Sequence, residues 1–206
     1  MELTEPIRRA LVEALAKAMI DHADELTRLD QAIGDGDHGI NMQRGFTAVL
    51  AEADRIVALQ IPEALAAIGT TLVMRVGGAS GPLYGTLFMR LGKALPERPT
   101  LAAFVVAAET AITAVKARGK SDVGCKTMLD VLVPTLEALK SAPEGADLPT
   151  LLPAAADEAA AATVPLRAVR GRASYLGERS IGHMDPGARS SALLIAAACA
   201  ALRRVA

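Results

Sequence analysis

Hydrophobic residues recur three or four positions apart along most of the chain, which is the spacing of an amphipathic helix. The first such stripe begins at Ile7, continues through Leu11, Leu15 and Met19, and ends at Ile33. No stretch alternates convincingly with a period of two, so we predict an all-α fold. The predicted helices span approximately residues 7–33, 38–57, 62–77, 82–95, 101–118, 125–140, 150–162 and 186–204.

About eight helices with short connections predict antiparallel neighbours in a bundle or a closed ring. The helical spacing fails between residues 169 and 187, where we expect a long ordered loop or hairpin. Loops of this length in compact domains are usually functional or disordered. Asp185, Pro186 and Gly187 then have the pattern of an N-cap and first helical turn. Nothing marks a domain boundary, so we predict one domain over residues 1–206.

The composition is that of a helical protein with an aliphatic core. Hydrophobic residues make up 51% of the 206 positions, aromatic residues only 2%, and Trp is absent. We therefore expect a core of Ala, Leu, Val, Ile and Met. Cys125 and Cys199 are too few for a disulfide framework and indicate a reducing compartment. Without a signal-peptide pattern or an apolar run of bilayer length, we expect a cytoplasmic protein with no membrane partner.

The charge balance argues against nucleic-acid binding. A net charge of −1 provides no global basic field for a polyanion. No early pair of helices carries the basic recognition face that a helical transcription regulator needs. We therefore set that class aside and expect no nucleic-acid partner.

Three carboxylates fall within eight residues where the first predicted helix ends and the loop to the second begins, at Asp30, Asp35 and Asp37. Magnesium prefers hard oxygen ligands, usually one or two carboxylates together with phosphate oxygens and water. The spacing of these residues lets all three carboxylates converge on such an ion. A solvated Asp/Gly turn, with Asp37 capping the next helix, fits the same residues, and the loop alone does not decide between the two. A purely structural helical scaffold, however, would leave the three carboxylates crowded without purpose.

The same loop contains a G-x-G-x-x-G string at Gly34, Gly36 and Gly39, which matches the dinucleotide-binding fingerprint. That fingerprint must follow a strand and present backbone N–H groups to a pyrophosphate. Here a helix precedes it and two of the intervening residues are Asp, whose carboxylates would repel phosphates. An EF-hand is excluded because no Glu occupies the twelfth position of a loop that starts at Asp30 or Asp35.

Two further segments could bind an anion. The turn formed by residues 78–82 has small residues, with Ser80 as a potential cap and Pro82 in a first turn, which is the pattern of an anion site at a helix N-terminus. An ordinary turn between helices fits it equally. Arg172, in the irregular segment, is a fixed positive charge suited to bidentate phosphate contact, or else a solvated side chain.

Together these segments resemble one family, the nucleotide-binding L subunit of dihydroxyacetone kinase. The matching segments occur in the family's order and span nearly the whole chain. They are residues 29–46 around the acidic loop, 77–85, 126–130, 171–177 and 185–188.

The resemblance implies a closed barrel of eight antiparallel helices with ADP or ATP at one end. It implies two magnesium ions (Mg²⁺) held by Asp30, Asp35 and Asp37. Residues 38–41 and 79–80 would contact the phosphates, Met128 and Gly119 would lie against the adenine, and the irregular segment would close over the nucleotide. The nucleotide-binding residues implied are His38, Gly39, Ile40, Asn41, Ala79, Ser80, Gly119, Met128, Arg172, Asp185, Pro186 and Gly187.

By the same resemblance, the chain would be one subunit of a kinase. It would transfer a phosphoryl group to dihydroxyacetone bound by a separate K subunit, which would also supply the base. A stand-alone chain of this length resembles the bacterial arrangement, in which bound ADP is recharged by a phosphocarrier protein of the phosphoenolpyruvate phosphotransferase system. The phosphocarrier M subunit and a second copy of the chain are further candidate partners. ATP-dependent relatives that act on other small ketoses or tetroses stay open as an alternative.

Overall fold

The computed structural model describes residues 3–205, and the regular structure in this range is entirely helical, which confirms the predicted fold class. A 3₁₀ segment, Arg172–Ser180, precedes the last helix. The α-helices within the described range are α1 (Glu5–Asp21), α2 (Ala23–Ile33), α3 (His38–Ala51), α4 (Ala53–Val57), α5 (Ile61–Arg75), α6 (Ser80–Ala94), α7 (Leu101–Gly119), α8 (Leu129–Ser141), α9 (Leu148–Ala161) and α10 (Pro186–Val205).

Two of the predicted helices are each divided into two. The stripe over residues 7–33 forms α1 and α2, separated at His22, where φ is −102° and ψ is 13°. The ring Nδ1 of His22 lies 2.9 Å from the Ala18 carbonyl oxygen, so the side chain bonds to a carbonyl of the preceding turn. The predicted helix over residues 38–57 likewise breaks at Glu52, which forms an ion pair with Arg55.

The predicted start of α8 at residue 125 is wrong, because the helix begins at Leu129. Residues 124–127 form a turn that the Asp130 carboxylate holds in place. Its oxygens accept hydrogen bonds from the N–H groups of Gly124, at 2.5 Å, and Thr127, at 2.6 Å. By contrast, α7 begins with a side-chain cap, since the Thr100 hydroxyl accepts a hydrogen bond from the Ala103 N–H at 3.2 Å.

The helices form a closed ring, as predicted. α1 packs against α3, α3 against α5, and each helix from α5 to α9 packs against the next helix along the chain. α10 then packs against α1, which closes the ring. With α1 and α2 counted as one rod and α3 and α4 as another, the described residues make eight rods with alternating direction.

The centre of the ring is filled by side chains from most of the helices. Met19, Leu72 and Leu129 are fully buried there. The expectation of a wholly aliphatic core is wrong, because Phe46, Phe88 and Tyr84 are also buried. The rings of Phe46 and Phe88 meet edge to face, with their centroids 6.5 Å apart, a geometry that aromatic pairs favour. No described helix is both long enough and apolar enough to cross a bilayer.

The alternating direction of the rods brings four connections to one end of the ring. These connections cover residues 34–37, 76–79, 120–128 and 162–185, and the predicted site residues lie in them or in the adjoining turns of the helices. Helices α3, α6, α8 and α10 all begin at this end. Each helix start presents unsatisfied N–H groups and a partial positive charge, so the topology itself makes this end favourable for anions.

Candidate metal and phosphate site

The acidic loop brings three carboxylates together. Asp30, Asp35 and Asp37 each place one carboxylate oxygen within 4.8 Å of the others. Asp30 is buried and belongs to α2, whereas Asp35 and Asp37 are exposed in the connection to α3. Oδ2 of Asp30 accepts hydrogen bonds from the N–H groups of Asp37, at 2.8 Å, and His38, at 3.1 Å. Asp30 therefore ties the acidic loop to the start of α3.

A glycine is required beside this cluster. A Cβ atom at Gly34 would lie 2.1 Å from Oδ1 of Asp30, a distance that real Cβ contacts do not reach. Gly36 has a φ of +76°, in the left-handed region that favours glycine. The first two glycines of the G-x-G-x-x-G string thus serve to fold the loop around a carboxylate.

The residues present fit magnesium. All three donors are hard carboxylate oxygens, the type that Mg²⁺ binds at about 2.1 Å. Their mutual repulsion is relieved when a cation lies between them. Arg172 approaches the same cluster, with its Nε 2.7 Å from Oδ2 of Asp35. That ion pair is exposed and contributes little to stability, so Asp35 can exchange its partner at small cost.

The start of α3 offers backbone donors next to the carboxylates. The Asn41 N–H bonds to the Asp37 carbonyl at 2.9 Å. The N–H groups of Gly39 and Ile40 form no hydrogen bond within the described residues. The side-chain oxygen of Asn41 accepts a hydrogen bond from Arg44 at 2.7 Å, and the Ile40 side chain is exposed. The donors available to a phosphate here are therefore mainly backbone N–H groups.

The start of α6 lies against the acidic loop. Gly78 has a φ of +64°, and a Cβ atom there would lie 3.9 Å from both Oδ2 of Asp37 and Nδ2 of Asn41. Ala79, just before α6, is exposed, and Ser80 opens the helix. In the part of the chain that the structure describes, the Ser80 N–H has no acceptor. Two helix starts therefore present free donors beside three carboxylates.

The buried imidazole of His38 joins three helix starts. Its Nδ1 lies 2.9 Å from the Ser80 hydroxyl, and its Nε2 lies 2.9 Å from the Ser190 hydroxyl of α10. Burial lowers the pKa of His38 to about 4, so the ring is neutral at pH 7. Because both ring nitrogens are engaged, the ring positions Ser80 and is not itself a free phosphate donor.

Tyr84 continues this network into the core. Its hydroxyl lies 2.7 Å from the Ser190 hydroxyl and 2.9 Å from that of Ser191, and it donates to the Gly187 carbonyl at 3.1 Å. Burial raises the pKa of Tyr84 to about 12, so the phenol stays protonated. Tyr84 was not among the predicted site residues. The available signal was its position four residues after Ser80, which puts both side chains on one face of α6.

The other predicted nucleotide residues lie at the starts of α8 and α10 and the end of α7. Met128 is buried, and a Cβ atom at Gly187 would lie 3.5 Å from its backbone nitrogen. Pro186 is buried in the first turn of α10. Gly119 ends α7, where a Cβ atom would lie 3.4 Å from the Leu83 side chain of α6. The structure thus places these residues at the same end of the ring as the acidic loop.

Asp185 is a buried helix cap. Its carboxylate accepts a hydrogen bond from the Ala188 N–H at 2.7 Å, and its own N–H donates to the Thr163 hydroxyl at 3.1 Å. Burial raises the pKa of Asp185 to about 7, and the nearby Asp130 carboxylate acts in the same direction. The predicted N-cap is therefore present, and its charge is costly at neutral pH.

We expect the charge on Asp185 to make the free energy of unfolding depend on pH. Because the pKa of Asp185 is about 7 in the folded chain and ordinarily 3.8, its contribution to stability is largest below pH 4 and is lost as pH rises towards 7. The lowered pKa of His38 makes stability rise with pH over part of this range. The wild type is therefore compared with Asp185→Asn, in which His38 is unchanged and the side-chain oxygen that caps α10 is kept. The stability of wild type relative to the variant should fall by about 1.4 kcal/mol per pH unit at most. Urea unfolding at several pH values without magnesium or nucleotide measures this difference, and a constant difference would contradict it.

The chain is similar to known proteins over most of its length. Residues 32–200 match the DAK2 domain family model. The chain is 46% identical to the ADP-binding subunit DhaL of the PEP-dependent dihydroxyacetone kinase of Escherichia coli, over 82% of this chain and 83% of that protein. It is 45% identical to the corresponding subunit of kinase 1 of Listeria innocua, over 82% of each.

A solved structure shares the fold. The dihydroxyacetone kinase of C. freundii in complex with AMP-PNP and Mg²⁺ superposes with a TM-score of 0.71 at 26% identity, covering 96% of this chain. The match covers 33% of that longer kinase chain. These findings confirm the resemblance seen in the motifs, and the chain belongs to the DAK2 domain family, with the DhaL-type subunits of dihydroxyacetone kinase.

Proposed function

We propose that the chain is the ADP-binding subunit of a dihydroxyacetone kinase, working as one nucleotide-binding domain in the cytoplasm. It binds ADP or ATP and passes a phosphoryl group to dihydroxyacetone held by a separate K subunit. The observation that carries this proposal is the convergence of Asp30, Asp35 and Asp37 beside the free N–H groups that open α3 and α6.

Charge balance supports two magnesium ions at this site. Three carboxylates and a nucleoside diphosphate together carry a charge of about −6, since a terminal phosphate carries nearly −2. Two bound magnesium ions would reduce this charge to about −2 and stabilise the phosphates during transfer. The partial positive charges of the helix starts then offset part of the remainder.

The chain's own residues orient the nucleotide. Phosphoryl transfer depends on positioning and charge stabilisation more than on covalent chemistry from the protein. The N–H groups of Gly39, Ile40 and Ser80 would bind phosphate oxygens. Arg172, now paired with Asp35 through a single Nε–Oδ2 contact, would turn from that carboxylate to a phosphate, which a guanidinium can bind in a bidentate manner.

The residues at the starts of α8 and α10 would hold the rest of the nucleotide. Met128 and Gly119 would flank the adenine, and residues 185–187 would bind the edge of the ribose or a phosphate. These residues lie at the same end of the ring as the acidic loop, which supports their assignment to the nucleotide.

The exposure of the site supports a partner subunit. Asp35 and Asp37 are exposed, and the neighbouring Ile40 side chain is 56% exposed. Phosphoryl transfer to a sugar rather than to water requires that water be excluded from the site. A K subunit docked over this end would exclude water and bring the sugar and its base. The relatives named PEP-dependent support recharging of the bound ADP by a phosphocarrier protein, such as an M subunit.

The proposal predicts that the purified protein binds adenine nucleotide. Heat denaturation of the purified chain should release ADP or ATP, identified by chromatography. Added ADP should raise the melting temperature only when magnesium is present, and ADP at about 100 times its Kd should stabilise the fold by about 2.7 kcal/mol. Absence of released nucleotide together with absence of magnesium-dependent stabilisation would contradict the proposal.

A further inference from the structure

Lys126 is a buried cation that the proposed site does not use. It lies in the turn between α7 and α8, its side chain is only 1% exposed, and its φ is +61°, a region that residues other than glycine rarely adopt. Its ammonium donates to three backbone carbonyls at short distance: Ser180 at 2.7 Å, and Thr163 and Leu166 at 3.0 Å each. An ammonium has three N–H donors, so these bonds leave none for a ligand.

The carbonyls that surround Lys126 all belong to the connection between α9 and α10. This connection contains Arg172 and ends at Asp185, the two predicted nucleotide residues contributed by the irregular part of the chain. The ammonium also lies 3.4 Å from the Val164 carbonyl. Lys126 therefore holds both ends of the connection, near residues 163–166 and at Ser180, around one charge.

Other hydrogen bonds join the connection to the turn that contains Lys126, or join parts of the connection to one another. The Val169 N–H donates to the Cys125 carbonyl at 3.3 Å, next to Lys126. The Ser180 hydroxyl accepts from the Ala168 N–H at 2.9 Å, and the Gly182 N–H donates to the Val164 carbonyl at 2.9 Å. These bonds fold the connection back on itself with the ammonium at its centre.

The positive charge of Lys126 lies among protein groups that include two carboxylates. Burial lowers the pKa of Lys126, while the carboxylates of Asp185 and Asp130 raise it. A neutral side chain in its place would leave three carbonyls without their donor, and unpaired buried carbonyls are costly. The connection would then relax towards solvent, and Arg172 would move with it.

We infer that Lys126 is a positioning residue, which holds the connection over residues 163–182 so that Arg172 faces the nucleotide. This inference rests on the proposed function, because it concerns the same site. It assigns Lys126 no contact with phosphate. Its effect on the nucleotide passes through Arg172.

The inference is tested by a double-mutant cycle on magnesium–ADP binding. Lys126→Met and Arg172→Met should each raise the Kd by about tenfold, the expected order for a lost charged contact. The double variant should also raise it by about tenfold, rather than a hundredfold, because both substitutions remove the same contact. Lys120→Met is the matched control: Lys120 also has a positive φ, of 49°, but it is exposed, and its Kd should stay within about twofold of wild type.

The alternative, that Lys126 is only structural, gives a different result. Lys126→Met would then lower the melting temperature without changing the Kd, or the two substitutions would be additive, and either outcome overturns the inference. If Lys126→Met does not fold, Lys126→Gly is measured with n-butylammonium, which replaces the missing side chain. Recovery of ADP binding with n-butylammonium but not with sodium chloride supports the inference, and no recovery overturns it.

A second measurement separates this inference from the proposed function. Amide hydrogen exchange of residues 163–182 in the nucleotide-free protein should be faster in Lys126→Met than in wild type and unchanged in Lys120→Met. If wild type does not bind ADP, the proposed function fails, while the exchange rates still decide whether Lys126 holds the connection. If wild type binds ADP and exchange is unchanged by Lys126→Met, only the inference about Lys126 fails.

Discussion

Replacement of both Asp35 and Asp37 by Asn is expected to abolish phosphoryl transfer to dihydroxyacetone. The two amides keep the shape of the side chains but remove two of the three charges that would hold magnesium. Transfer should fall by about a thousandfold or more, since the phosphate charge would then lack its main stabilisation. The measurement is formation of dihydroxyacetone phosphate with the K subunit, the phosphocarrier protein and phosphoenolpyruvate present.

The helical circular-dichroism signal should persist in this double variant, because Asp35 and Asp37 are exposed. A matched control replaces two exposed carboxylates elsewhere, Asp24→Asn and Asp54→Asn, which changes the net charge equally. This control should keep nearly full transfer. Retained transfer in the Asp35→Asn, Asp37→Asn protein would refute the metal site. Asp30→Asn is not equivalent, because Asp30 also accepts two hydrogen bonds from the start of α3.

Gly39→Ala is expected to destabilise the fold and to weaken ADP binding together. A Cβ atom at this position would lie 2.0 Å from the Ala23 carbonyl oxygen and 2.6 Å from the Thr27 nitrogen, both backbone atoms of α2. Backbone atoms of a packed helix cannot move away cheaply, so the start of α3 must shift. We expect the free energy of unfolding to fall by about 3 kcal/mol, at the upper end of overpacking effects. Urea unfolding and a titration with magnesium–ADP measure the two effects.

Gly145→Ala is the control for this prediction. Gly145 has a φ of +80°, and a Cβ atom there would meet nothing within 4 Å. Its substitution therefore costs only the strain of the left-handed backbone, about 1–2 kcal/mol, and should leave ADP binding unchanged. Equal stability and equal affinity of Gly39→Ala and wild type would show that α3 can move without consequence for the site.

Local pattern was sufficient for the fold class and for most helix bounds. The period of the hydrophobic residues identifies eight rods because each rod buries one stripe against its neighbours. The hydrophobic spacing did not predict the breaks at His22 and Glu52, since the hydrophobic stripe continues across both positions. The hydrophobic spacing also did not predict that α8 begins only at Leu129. The side chain of Asp130 holds the preceding turn by hydrogen bonds, and such bonds leave no periodic signal in the sequence.

The acidic loop could be found in the sequence because its three carboxylates lie within eight residues, where short chain distance ensures proximity. The resemblance to a kinase subunit then suggested its partners at residues 79–80 and 172. The roles of individual side chains could not be found this way. His38 was predicted at the phosphate, but its ring bonds to Ser80 and Ser190, and Ser190 is 152 residues away along the chain.

Closure of the ring is what assembles the site. The alternating direction of eight rods carries four helix starts and four connections to one end, although the connections are scattered from residue 34 to residue 185. Lys126 shows the limit of local sequence most clearly: in the sequence it looks like an ordinary surface lysine, whereas in the fold the connection between α9 and α10 buries it among carbonyls 37 to 54 residues away. Residue types and their short-range spacing specify helices and a carboxylate loop, whereas contacts across the ring depend on how the rods pack, which only the folded chain defines.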